Sequence, residues 1–204
     1  MLSTNEWKRP MYFATTIGSD YHLGLDPYLE LTGMAYRITP TRSADGRPRV
    51  NTEVMYDNMM NKFRYGNVNK PGIYLDENTL RMCRTHRMMF SELAEALYEE
   101  GKHDKAIAVL DYAEEMLPGY NVSYDYTSAS MAALYYTLGE MEKGNAIMDQ
   151  VATNAVEYME WGTTLEPASR KAAQSTLGHY SAVLGFVLNN LQRFEQKELF
   201  NKYF

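Results

Sequence analysis

An alternation of large and small apolar residues between Arg87 and Tyr120 is the feature that most constrains how this chain folds. Apolar residues three and four positions apart share one face of a helix, and here two such segments follow each other across a glycine. The defining residues are Phe90, Leu93, Ala94 and Leu97 in the first segment, Gly101 in the turn, and Ala106, Leu110 and Pro118 in the second. The pattern predicts two helices packed as a hairpin.

The same order of residue sizes over 34 residues is typical of tetratricopeptide repeats. Small residues at Ala94 and Ala106 let the two helices cross closely, and Pro118 ends the second helix. A second copy follows, with Met131, Ala132, Tyr135, Gly139, Gly144 and Met148 in the corresponding places. A third, decayed copy includes Leu184, Gly185, Leu188 and Lys197. The alternative is an ordinary array of helical hairpins with small residues by chance.

The two copies are not evenly spaced. The step from Gly101 to Gly139 is 38 residues. A regular repeat would need about four fewer, which places an insertion around the sequence GYNVSYD.

The N-terminal part of the chain has the residue pattern of strands as well as helices. Met11–Ile17 and Met34–Pro40 are rich in β-branched and aromatic residues, and we expect them to form paired strands that pack on the first helices. Asp26–Gly33 and Asn51–Gly66 are predicted helices, and Asp76 is placed to cap a longer helix that ends at Gly101.

The predicted fold is therefore mainly α. Residues 76–204 form a tetratricopeptide-like array of helical hairpins, and residues 1–75 form a small α+β cap with a short two-stranded pairing. The charge is divided in a similar way, with a net of +2 over residues 1–84 and −8 over residues 85–204. The total of −6 argues against a nucleic-acid partner, and no run is long and apolar enough for a transmembrane segment.

Sequence motifs for catalysis, phosphate binding or zinc binding are missing, and the single Cys83 has no second cysteine to pair with. We therefore expect no catalytic residue, no metal site and no cofactor. Asp20, His22 and Asp26 lie close together in the sequence, as a metal or acid–base site requires. Aspartates that cap a turn explain the same pattern.

Two sets of residues are candidates for binding. In tetratricopeptide arrays the first helices of the repeats line a groove that binds peptides. The positions that face this groove include Tyr98, Tyr136, Phe186 and Asn189. The loop after the second strand carries Arg42, Arg47 and Arg49, which form a candidate anion-facing loop; the alternative is an ordinary solvated loop.

Four segments, taken in order, resemble the C-terminal region of a Bacteroidetes membrane-protein family of uncharacterised function. They are NEWKRPMYFATTIGSD, LGLDPYLELTGMAYRITP, MYDNMMNKFRYGN and YLDENTLRM. The family is similar to the protein O-mannosyltransferases and joins a glycosyltransferase-like membrane part to a soluble tail with tetratricopeptide-like repeats. The resemblance covers this whole chain and none of the membrane part, so it transfers no catalytic residue.

The resemblance implies an extracytoplasmic, periplasmic tail whose first residues follow a membrane part. Trp7 with Lys8 and Arg9 suits a position just outside a bilayer. We expect a non-catalytic scaffold that recruits or positions a polypeptide, or that packs on the membrane part of the same protein. Two alternatives remain: a domain that binds a sugar or phosphate through Asp20, His22 and the arginine loop, and a stand-alone cytoplasmic adaptor. The oligomeric state is not predicted.

Overall fold

The computed structural model describes Thr4 and residues 6–204, which are mainly helical with a small sheet near the N-terminus. The predicted fold class is confirmed. The described residues divide into two compact units. Unit 1 holds the chain up to Val68 together with Glu92–Met116, and unit 2 holds Asn69–Ser91 together with Leu117–Phe204. The boundary at residues 75 and 76 stays a prediction. Asn5, which begins the first segment of the family resemblance, lies outside the described residues.

The sheet of unit 1 has the strand order β1-β3-β2-β4. Its strands are β1 Tyr12–Ala14, β2 Leu29–Leu31, β3 Ala35–Ile38 and β4 Arg49–Val50. β1 runs antiparallel to β3 with Tyr12 opposite Arg37, which confirms the predicted pairing of Met11–Ile17 with Met34–Pro40. β2 is antiparallel to β3 and parallel to β4, so the sheet has four strands where two were predicted.

The predicted helix over Asp26–Gly33 is wrong. Only Asp26–Tyr28 form a single 3₁₀ turn, in which Pro27 takes an early position as expected. The chain then becomes β2, because Leu29 and Leu31 are both buried while Glu30 between them points to the other face. This period of two is the pattern of a strand, and it prevails over the helix-start signal of Asp-Pro.

The helix predicted for Asn51–Gly66 is shorter than expected. α1 covers Thr52–Tyr56 and continues as a π-helical turn over Asp57–Lys62. The chain leaves the helical conformation at Phe63, whose ring packs on Gly33 so closely that a Cβ atom there would lie 2.9 Å from it. Gly33 also has a φ of +137°, a conformation that other residues rarely adopt.

Unit 1 also contains α3, His103–Met116, and the last residues of α2, Glu77–Glu99. Residues of these two segments that define the size pattern are buried: Leu93, Ala94, Leu97, Ala106 and Leu110. Gly101 ends α2 with a φ of +74°, where Lys102 N donates to Leu97 O and Gly101 N donates to Tyr98 O. This pair of hydrogen bonds is a Schellman motif.

Unit 2 begins with the first part of α2, where Asp76 Oδ1 accepts a hydrogen bond from Thr79 N and caps the helix as predicted. Its other helices are α4 Tyr126–Thr137, α5 Met141–Thr164, α6 Pro167–Ala172, α7 Gln174–Arg193 and α8 Lys197–Tyr203. α4 ends at Gly139 with the same two hydrogen bonds as α2, from Glu140 N to Tyr135 O and from Gly139 N to Tyr136 O. The tetratricopeptide identity of the two hairpins stays a prediction.

A buried arginine organises the segment that connects α3 to α4. Arg87 is fully buried in unit 2. Its Nη2 donates to Leu117 O at 2.6 Å and Val122 O at 2.9 Å, and its Nη1 donates to Ser128 Oγ at 3.0 Å. The guanidinium also lies 5.1 Å from the centre of the Tyr124 ring. The charge is therefore held by neutral oxygens and an aromatic face rather than left bare in the core.

We expect Arg87→Met to lower the free energy of unfolding by about 3–5 kcal/mol, because it leaves several buried carbonyl groups without their donor. Arg87→Lys should lie between Arg87→Met and the wild type, since an ammonium group cannot reproduce the forked geometry. Urea unfolding followed by circular dichroism measures both. Arg81→Met, an exposed change on the same helix, should cost about 0.5 kcal/mol or less. Equal unfolding midpoints for Arg87→Met and the wild type would contradict this role.

Candidate functional site

The outer edge of β1 is the first feature that can bind another chain. Met11 O accepts from Ile38 N, and Thr15 N donates to Met34 O, so the alternate residues of this strand face β3. The backbone N–H groups of Tyr12 and Ala14 consequently point away from the sheet. Within the described residues β1 pairs with β3 alone. A strand edge of this kind can accept an added strand.

Exposed apolar side chains are concentrated in the stretch of sequence that contains β1. Met11, Tyr12 and Ile17 are exposed, and Tyr21 and Leu23 keep 72% and 83% of their surface accessible. All five lie within residues 11–23, which we call the edge segment. Single exposed apolar residues need no explanation, but five within one short segment indicate a surface for interaction.

His22 holds the edge segment on the sheet. Its side chain is buried, with ring centres 5.3 Å from Phe13 and 5.7 Å from Tyr36. Its Nδ1 lies 2.8 Å from Asp26 Oδ1. Of the three residues predicted to cluster, the structure brings His22 and Asp26 together, while the side chain of Asp20 is exposed. The pair acts as a structural link between the 3₁₀ turns Ser19–His22 and Asp26–Tyr28.

One of the three arginines of the candidate anion-facing loop is paired within the sheet. Arg49 lies on β4, where its Nε donates to Glu30 Oε1 at 2.8 Å and its Nη2 donates to Thr39 Oγ1 at 3.1 Å. Its charge is thus neutralised within the sheet. Arg42 and Arg47 are exposed in the loop. Anion binding by these two stays a prediction.

Tyr136 lies in the core of unit 2, with 1% of its surface exposed. Its ring packs on Phe194 and fills the space left at Gly144, where a Cβ atom would lie 2.5 Å from the ring. The hydroxyl donates to Asn145 Oδ1 at 2.7 Å, and burial raises the pKa of Tyr136 well above its usual value. The predicted groove position of Tyr136 is therefore wrong. Gly144 has no side chain, and the Tyr136 ring occupies the space that a side chain there would take.

The other predicted groove residues remain partly accessible. Tyr98, in unit 1, is half-buried and stacks on His103 with ring centres 5.0 Å apart. Phe186, in unit 2, is half-buried against Tyr126, and Asn189 is exposed. The buried neighbour Asn190 instead donates to Phe186 O within the helix. Peptide binding by these three residues stays a prediction.

Sequence reasoning missed the edge segment as a surface. Met11–Ile17 reads as a strand rich in large apolar residues, and such a strand is ordinarily expected in a core. The signal for its exposure is the adjacent sequence: Pro10 precedes the strand and Gly18 follows it, and proline in sheets is confined mainly to edge strands and to the first residue of a strand.

The described part of the chain contains no group of three or more His, Cys, Asp or Glu side chains that could bind a metal ion. Within Thr4 and residues 6–204, no helix combines the length and the apolar character that a membrane span requires.

Comparison with known families gives one match. Residues 1–58 match the model described as TMEM260-associated domain 2. The matched region includes β1–β4, the edge segment and α1. No curated protein and no solved structure matches this chain. The N-terminal region is therefore similar to a domain that is associated with a membrane protein, which fits the family resemblance found in the sequence.

The placement of Tyr136 gives a stability prediction. Tyr136→Ala should lower the free energy of unfolding by about 3–5 kcal/mol, since it leaves a cavity in the core of unit 2. Tyr98→Ala should cost about 1 kcal/mol, because it removes only a half-buried ring stack. Urea unfolding of the two variants measures the difference. Similar costs for both would mean that Tyr136 is not a core residue.

Proposed function

We propose that this chain is a non-catalytic interaction domain of a membrane glycosyltransferase-like protein, and that its edge segment docks an extended polypeptide. The polypeptide we favour is an external loop of the membrane part. The proposal places the chain on the extracytoplasmic side, in the periplasm. A role in recruiting the polypeptide acceptor of the glycosyltransferase would use the same docking mode, with the acceptor in place of the loop.

The observation that carries the proposal is the coincidence of three features on residues 11–23. This segment lies within the match to a membrane-associated domain, it forms one edge of the sheet, and it carries five exposed apolar side chains. Addition of a strand to an edge supplies main-chain hydrogen bonds, and flanking apolar side chains supply buried area. Together they suit a polypeptide ligand better than a sugar or a phosphate.

The absence of catalytic motifs in the sequence supports a non-catalytic role. The rival in which the N-terminal region binds a sugar or phosphate loses support, because Arg49 is paired with Glu30 and His22 is buried beside Asp26. Only Arg42 and Arg47 keep exposed guanidinium groups in that loop. Two exposed arginines on a loop are a weak basis for a specific anion site.

Photo-crosslinking tests where the partner docks. Tyr21 is replaced by p-benzoylphenylalanine in the cells that produce the chain, and membranes are isolated after irradiation. We expect a crosslink to an integral membrane protein with several apolar helices, or to another segment of the same polypeptide. Tyr74→p-benzoylphenylalanine is the matched control, since Tyr74 is 91% exposed but lies outside the matched region. Equal crosslinking from both positions would refute docking at the edge segment.

A second experiment tests the strand-addition mode. Ala14→Pro removes the outward N–H of β1 without touching a hydrogen bond to β3, whereas Ala14→Val keeps that N–H. We expect crosslinking at Tyr21 to fall about fivefold with Ala14→Pro, as for the loss of one hydrogen bond, and to stay unchanged with Ala14→Val. Equal thermal unfolding of the two variants shows that the fold is kept. If Ala14→Pro leaves crosslinking unchanged, the partner does not add a strand.

A further inference from the structure

Unit 2 contains a groove far along the sequence from the edge segment. It has a volume of about 770 Å³ and lies between the end of α5, the short helix α6 and the first turns of α7. Its apolar walls come from Met159, Leu165, Pro167 and Leu177. The volume is within the range of natural ligand sites, about 300–1,000 Å³.

Two contacts fix the shape of the groove. Leu177 on α7 packs against Gly162 on α5, where a Cβ atom would lie 2.4 Å from the leucine side chain. Arg170 on α6 closes the end of α5, with its Nε donating to Gly162 O at 3.0 Å and its Nη2 donating to Thr163 O at 2.6 Å. The walls are therefore held together before any ligand arrives.

The charge of the groove is positive. Arg170 and Lys171 line it, and its described lining contains no Asp or Glu. The hydrogen bonds of Arg170 go to neutral carbonyl oxygens, so they leave its charge in place. The positive charge of the groove contrasts with the net charge of the chain, which is −6. The groove is thus complementary to an acidic ligand with apolar groups.

Gly178 keeps part of the groove open. It stands inside α7, where glycine is about 1 kcal/mol less favourable than alanine. No neighbouring atom comes within 4 Å of the position that its Cβ would take, so packing does not require a glycine there. A larger side chain at this position would occupy space in the groove.

We propose that this groove binds a short segment of a partner polypeptide in which apolar side chains stand beside carboxylates. A polypeptide fits better than a fatty acid, because Gln174 and Ser181 also line the groove and can bond to peptide groups. Both side chains are exposed, and a hydrocarbon chain offers them no hydrogen bond. The site lies outside the matched region and does not depend on the edge segment.

Selection from a library of random dodecapeptides on the immobilised full chain tests the proposal. Enriched peptides should combine Leu, Ile or Phe with Asp or Glu. Replacement of their acidic residues by Asn and Gln should weaken binding about tenfold, which corresponds to 1.4 kcal/mol. Enrichment of peptides without acidic residues would overturn the proposal, and so would tighter binding of decanoate that displaces the selected peptides.

Two matched glycine variants locate the site. Gly178→Met places a flexible side chain in the groove, and Gly185→Met makes the same change two turns further along α7, at a position with equally open surroundings that does not line the groove. We expect Gly178→Met to weaken the selected peptides about tenfold and Gly185→Met to leave affinity unchanged, with both variants at least as stable as the wild type. Equal effects of the two variants would place the peptides elsewhere.

Discussion

The connection between α3 and α4 depends on one buried positive charge. Irregular backbone inside a fold is costly unless its carbonyl groups find donors, and a buried charge is costly unless it finds acceptors. Arg87 meets both needs at once, since its guanidinium bonds to the carbonyls of Leu117 and Val122 and to the hydroxyl of Ser128. Ser128 in turn completes the capping box with Asp125 that starts α4. Arg87 on α2 therefore helps to fix the residue at which α4, the first helix of the second hairpin, begins.

This arrangement also explains the uneven spacing of the two hairpins. The extra residues relative to a regular repeat were placed at GYNVSYD. Three of these residues contact Arg87: Val122 and Ser123 through their carbonyl groups and Tyr124 through its ring. Helices α2 to α5 were predictable because their buried faces recur every three or four residues and two of their ends fall at glycine. β2 and β4 were not, since strands of two or three residues are too short to be recognised in the sequence. They are held in place by pairing with β3 and with each other.

The candidate sites show where sequence patterns stop being informative. A spacing rule assigns a residue to a helix face, but the depth of its side chain depends on what lies opposite. Tyr136 is buried because Gly144 offers no side chain, and Arg49 is neutralised because a parallel strand brings Glu30 alongside it. Both partners belong to other elements. In contrast, the pairing of β1 with β3 was predictable, because it joins the first two strands of the chain that have enough apolar residues to be recognised.

The division of the chain into two units has a consequence for its synthesis. Unit 1 is discontinuous, since it takes α3 and the last residues of α2 in addition to everything up to Val68. The sheet and α1 emerge from the ribosome well before those helical residues do. They must wait for these later residues, so unit 1 is complete only when the chain has reached about Met116. The matched N-terminal region is therefore made before the helical residues that complete its unit.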